Sequence, residues 1–143
     1  MNRLNELWAA RRMPLRCGLF RADGTGREAD CDGAELTRFA LGEPFGPAAA
    51  DRALADHTSA DVFAVAALPD GSGRLVGGGG SHGSDGFFAR LGPRGELRWL
   101  VHLLCNELVE VAVDWPTATL TNNCGNTLTI DLASPEFSDS PRN

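Results

Sequence analysis

The sequence predicts an α+β fold: one domain with a dominant antiparallel meander sheet of about six to eight strands, with two or three short helices from the N-terminal half packed on it. Three observations carry this expectation. Helical periodicity is confined to residues 1–60. From residue 61 onward, apolar or alternating runs are cut by Gly/Pro/Asn/Asp turn signals every ~8–12 residues. The intervening turns are short, so successive strands are expected to be antiparallel neighbours. Residues 1–132 are read as the domain, 1–60 giving the helices and one hairpin and 61–132 the meander; residues 133–143 are read as a flexible C-terminal tail. A partly closed barrel or a sandwich is the alternative architecture.

Taken in order, residues 2–13 place Leu4, Leu7, Trp8 and Arg11 on one helical stripe that Pro14 halts, with Asn2 as a candidate cap. Residues 15–21 and 27–31 flank Asp23-Gly24, a hairpin signal. Residues 34–41 read as a short helix ended by Gly42, and residues 47–57 as an alanine-rich one with Pro47 in its first turn and His57 at its end, where a cationic ring suits the dipole. Asp61–Leu68 is apolar on both faces and reads as a central strand. Strands follow at residues 74–77, 86–91 and 96–104, and Asn106 marks a break. Residues 108–115 alternate, with Val109, Val111, Val113 and Trp115 on one face and Glu110 and Asp114 on the other. Residues 117–121 and 126–132 form a last hairpin, with Leu128, Ile130 and Leu132 inward. Residues 74–99 resemble one blade of a β-propeller of the pyrroloquinoline-quinone type, a glycine-rich strand before a Gly-Pro-Arg-Gly hairpin; a propeller needs about four blades or more, so the likeness is one of hairpin grammar.

Composition narrows the function classes. The net charge of −6 and pI of about 4.9 disfavour a nucleic-acid partner, because phosphate backbones repel such a surface. All 13 basic residues are arginine, which excludes mechanisms that need lysine; with tyrosine absent and alanine and glycine abundant, it reads as the mark of a GC-rich bacterial genome. No apolar run reaches the ~18–20 residues of a membrane helix. The N-terminal stretch MNRLNELWAARRM lacks a signal-peptide core, which predicts a cytoplasmic protein without a membrane partner. Cys17, Cys31, Cys105 and Cys124 lack zinc-ligand spacing and are expected as thiols, with Cys17–Cys31 or Cys105–Cys124 bridges as alternatives.

The stretch VGGGGSHGSDGFF, residues 76–88, is the one place where several chemical patterns overlap. Gly78, Gly80 and Gly83 satisfy GxGxxG, and Gly79 to Gly83 satisfy GxSxG with Ser81 as nucleophile and Asp85 and His102 in triad order. Both patterns require a helix after the turn, and a strand is expected here instead. His82, Asp85 and Asp70 offer a metal alternative without a third ligand at a recognised spacing. The expectation is bare backbone for close approach at residues 77–80, followed by a turn whose Ser81, His82, Ser84 and Asp85 offer polar groups to a ligand or partner. His102 is expected as a satisfied core or sheet-face histidine.

A second candidate surface is the last hairpin, where Thr117, Thr119 and Thr121 face Thr127 and Thr129 beside Asn122 and Asn123, in a negative field from Glu110, Asp114 and neighbouring acids. With no coherent catalytic set and no cofactor or metal motif, the expected function is a non-catalytic, acidic, bacterial protein-interaction protein, such as a toxin-neutralising immunity or inhibitor protein or a small accessory subunit, whose partner is a protein, a basic one being suited to the acidic charge. A small hydrolase or a ligand- or metal-binding module on residues 77–86 is the alternative.

Overall fold

The structure, a computed structural model, describes residues 3–81 and 83–137. The chain runs α1 (Arg3–Ala9), β1 (Arg12–Pro14), β2 (Gly18–Arg21), β3 (Gly26–Asp30), β4 (Ala40–Pro44), α2 (Pro47–Ala55), β5 (His57–Ser59), β6 (Asp61–Ala67), β7 (Arg74–Gly79), β8 (Gly86–Leu91), β9 (Leu97–Leu103), β10 (Leu108–Asp114), β11 (Thr117–Asn122) and β12 (Thr127–Asp131). The α+β class with a dominant antiparallel sheet is as expected. That sheet has seven strands in the order β4-β3-β2-β9-β8-β7-β6, all pairs antiparallel.

The meander does not continue through the whole C-terminal half. Asn106, in the left-handed region at φ 65°, breaks the chain after β9, and β10-β11-β12 form a separate three-stranded sheet. The small sheet lies on the large one, with β10 packed against β6 and β7. Side-chain alternation divides the interior accordingly. Leu19, Leu75, Phe88, Trp99, Val101 and Leu103 face Leu108, Ala118, Leu120, Leu128 and Ile130 between the sheets. Phe20, Val76, Phe87, Ala89 and Leu100 face the opposite way, under Leu4 and Trp8 of α1, Ala53 and Leu54 of α2, and Met13 and Phe45. Each face of the large sheet therefore has its cover.

Several expected elements take a different form. Residues 2–13 are not one helix: Arg11 at φ 60° ends α1, and Arg12–Pro14 pair with His57–Ser59 as a two-stranded ribbon. His57 thus lies in a strand, where its Nδ1 accepts from Arg12 Nε at 2.7 Å, and not at a helix end. Asn2 lies outside the described residues. The helix expected at 34–41 is a single 3₁₀ turn, Gly33–Glu35. Leu36 turns left-handed at φ 60°, the Asp32 carboxylate accepts from the Thr37 and Arg38 N–H groups at 2.8 and 3.3 Å, and the chain goes on into β4.

The strand at residues 61–67 is not central: β6 is the outer strand of the large sheet, paired with β7 alone. The inner position beyond β9 is taken by β2 and its hairpin partner β3, as Gly18–Arg21 pair with Trp99–His102. In β10 a register shift between Leu108 and Glu110 moves Leu108 onto the inner face with Val111 and Val113 and leaves Val109 exposed; Trp115, in the turn past the end of β10, is exposed as well. The last hairpin keeps the expected alternation, Leu128, Ile130 and Leu132 buried and Thr127 and Thr129 exposed. The start of the tail is not loose: Pro135–Phe137 form a 3₁₀ turn and Phe137 is buried. All four cysteines are free thiols, so neither alternative bridge is present.

Candidate functional site

The glycine stretch occupies β7 and the turn into β8. A Cβ added at Gly77 would come within 3.0 Å of Val111 Cγ2, and one at Gly79 within 2.5 Å of Glu107 Cγ, so β10 and the loop before it lie directly on bare backbone. At Gly78 the added atom would meet the Asp61 carbonyl oxygen of β6 at 1.8 Å. Gly83 and Ser84 lie in a turn, and the strand β8 begins at Gly86. Neither glycine pattern is followed by a helix N-terminus, which both phosphate binding and a nucleophile elbow require.

The polar residues of this turn are dispersed. Ser81 is exposed and its hydroxyl lies 2.7 Å from Ser59 Oγ and 3.3 Å from Thr58 Oγ1. Ser84 is exposed, and its carbonyl accepts from the Asn106 N–H. Asp85, in contrast, is buried, with Oδ1 3.1 Å from Nε2 of His102, itself fully buried. Burial lowers the basicity of His102 below that of an ordinary imidazole, against the opposing pull of Asp85 and the Arg16 backbone. The Oδ2 of Asp85 has no hydrogen-bond partner among the described residues, and the remaining ring nitrogen of His102 has only the Arg16 backbone beside it. Ser81 Oγ accepts from the Thr58 hydroxyl and pairs with that of Ser59, so a serine–histidine–aspartate relay is not assembled. His82 lies outside the described residues. Among those described, no group of three His, Cys, Asp or Glu side chains is placed to hold a metal.

On β10, Glu110 and Asp114 are exposed, and on the last hairpin Thr119 is half-buried opposite Thr129. Asn123 is exposed, and its side-chain amide donates to Glu107 Oε1. Asn122 is buried: its Nδ2 donates to the carbonyls of Ala34 and Cys105 at 2.7 and 2.9 Å, and its Oδ1 accepts from the N–H groups of Cys124 and Asn126 at 3.0 and 2.9 Å. Its amide is fully used in holding the hairpin turn to the large sheet.

The feature that sequence reasoning missed is the free edge of β6. Val62, Phe63 and Val65 are 43%, 51% and 56% exposed, while Ala64 and Ala66 are half-buried. A cleft of about 630 Å³ runs from Trp8 and Arg11 at the end of α1 to Asp61, Val62 and Phe63. Asp61 opens the strand, Asp70 follows it, and the exposed Glu110 and Asp114 lie on the adjacent β10; Arg11 and Arg74 are the basic residues beside it. An apolar run looks the same on an edge as in a sheet interior, so the pattern of residues 61–68 held no signal for this. Comparisons of the chain with protein-family models, with curated proteins and with solved structures find no match.

Proposed function

We propose that this chain is a non-catalytic protein-binding domain that receives an extended segment of a basic partner protein along the free edge of β6. A toxin-neutralising immunity or inhibitor protein, or a small accessory subunit, is the kind of role such a domain serves. The single observation that carries the reading is the exposed apolar outer strand. An edge with open backbone groups is a template for another strand, and proteins normally blunt it with lysine, proline or inward charge. Residues 62–67 hold none of these, and only the irregular register near Phe63 interrupts the edge. Main-chain pairing would supply affinity, and Val62, Phe63 and Val65 would supply side-chain selectivity. The acidic flanks and the net charge of −6 favour a basic segment and would raise its association rate at low salt.

The test is a comparison of wild type with Val65→Lys and Phe63→Asp for binding to the partner recovered from the source cell. Both positions are exposed, so folding stability is expected to hold within about 0.5 kcal/mol. Affinity is expected to fall by about ten-fold or more. Equal binding by wild type and both variants would remove the edge from the account. A concentration-dependent dimer in sedimentation, abolished by the same changes, would assign the edge to a second copy and overturn the hetero-partner reading.

A further inference from the structure

At the far end of the large sheet, β2 and β3 place Arg21 and Arg27 diagonally on the same face, since Leu19 is opposite Arg27 and Phe20 opposite Gly26. Both guanidinium groups turn toward the Pro135–Phe137 segment. Arg27 Nη1 pairs with the Glu136 carboxylate and its Nε donates to the Gly42 carbonyl at 2.8 Å. Arg21 Nη2 donates to the Glu136 carbonyl at 3.0 Å and Nη1 to Thr25 Oγ1 at 3.3 Å. Arg21 is 5% exposed, and its Nε–H is sealed from solvent with no partner among the described residues. Between these groups lies a cavity of about 360 Å³, walled on its apolar side by Pro44, Phe45 and Pro135.

We propose that this cavity is a binding site for a small carboxylate with a flat apolar body, and that Glu136 is its built-in competitor. Two features point to that ligand class. A guanidinium fork matches a carboxylate in geometry as well as charge. Pro44, Pro135 and the rim of the Phe45 ring, whose faces are taken by Phe20 and Arg16, offer an apolar wall to a compact body, and the volume falls in the range of small-molecule sites. The acids that face the two arginines are Glu136 and Asp23, and Asp23 is engaged with the Thr25 N–H and hydroxyl at 2.9 and 2.6 Å. The Glu136 side chain is 42% exposed, so it is at the mouth and free to swing outward. An entering carboxylate would replace it on Arg27 while the Glu136 backbone stays on Arg21.

Benzoate and its neutral isostere benzamide are the probes, titrated into the full-length wild type, Glu136→Ala and Glu136→Ala/Arg27→Ala, with binding read by calorimetry and by fluorescence of Trp99, whose ring centroid lies 5.1 Å from that of Phe137. Glu136→Ala is expected to bind benzoate about ten-fold or more tightly than wild type. The double variant is expected to bind neither probe, and benzamide to bind no variant. Arg27→Lys in the Glu136→Ala background keeps the charge without the fork; it is expected to bind weakly, and supplies the comparison if Arg27→Ala does not fold. Benzoate binding no tighter to Glu136→Ala than to wild type, or benzamide binding as well as benzoate, overturns the proposal.

Discussion

His102 and Asp85 meet across 3.1 Å in a region closed to solvent, and the second carboxylate oxygen of Asp85 has no partner among the described residues. The pair joins the residue just before β8 to the penultimate residue of β9, and its two halves are unequal. With the carboxylate as acceptor, Nε2 carries the proton, so removing the histidine strands a buried charge, whereas removing the acid leaves a neutral ring. His102→Leu is therefore expected to cost about 3–5 kcal/mol, and Asp85→Leu about 1–3 kcal/mol. The double change to leucine is expected to cost less than the sum, since no polar atom is left behind. Urea unfolding of the three variants and wild type completes the cycle.

The same pair sets a pH dependence. Burial holds His102 below the usual imidazole value of 6.5, so just below that pH the unfolded chain binds a proton that the folded chain does not. Stability then rises with pH through this window and levels off above it; as pH falls below 6.5, the contribution of the neutral ring is lost. Urea midpoints followed from about pH 8 down to about pH 5 are expected to show this slope, reduced in His102→Leu.

Glycines in the same stretch are expected to differ sharply in tolerance. An alanine Cβ at Gly78 would lie 1.8 Å from the Asp61 carbonyl oxygen, and at Gly86 2.1 Å from that of Asn106, both backbone atoms. Around Gly83 nothing lies within 4 Å. Gly83→Ala is expected to be neutral or slightly stabilising, by about 0.5 kcal/mol. Gly78→Ala and Gly86→Ala must push a neighbouring backbone aside, and are expected to cost about 1–3 kcal/mol or more. Thermal melts of the three single variants distinguish these outcomes.

The parts of the fold legible in the sequence are those set by short-range chemistry. Asp23-Gly24 gave the first hairpin, and the alternation of Thr127 through Leu132 gave the inward face of the last strand. The parts not legible depend on partners far along the chain. That Gly18–Arg21 would take the place beside β9, leaving Val62–Val65 on the outside, has no local signature. The register shift at Val109 reversed one residue against a clean alternation, and a left-handed Leu36 overrode the spacing of Leu36, Phe39 and Ala40. In the glycine stretch the strand after the turn was legible, which separated Ser81 from a nucleophile elbow. The pairing of Asp85 with His102 was not, because it rests on the register of β8 against β9.

The four thiols are expected to react in an order set by exposure. Cys124 is exposed, Cys17 and Cys31 are half-buried, and Cys105 is buried. Burial pushes the Cys105 thiol up to about 12 and raises Cys17 and Cys31 as well, so little thiolate forms at neutral pH in any of the three. Iodoacetamide near neutral pH is expected to modify Cys124 first, Cys17 and Cys31 more slowly, and Cys105 only on unfolding. Peptide mapping over a time course reads the order, and labelling of Cys105 ahead of Cys124 would contradict it.

Phe137 tests whether the C-terminal segment belongs to the core. Its ring is 6% exposed, with centroid distances of 5.1 Å to Trp99 and 6.4 Å to Phe88, both fully buried between the sheets. The segment is tethered by more than this ring: the Phe137 N–H donates to the Ser134 carbonyl, and Arg21 and Arg27 hold Glu136. A loose tail would make Phe137→Ala a surface change worth at most about 0.5 kcal/mol. A core residue truncated to alanine instead loses its transfer energy and leaves a cavity against Trp99, a cost of about 3–5 kcal/mol. The larger value is expected in guanidinium unfolding, together with an altered near-ultraviolet dichroism signal from Trp99. Glu136→Ala, which removes a partly exposed ion pair but keeps the ring in place, is expected to cost no more than about 1 kcal/mol. The contrast between the two neighbours separates burial of the aromatic ring from the charge beside it as the force that seats the segment.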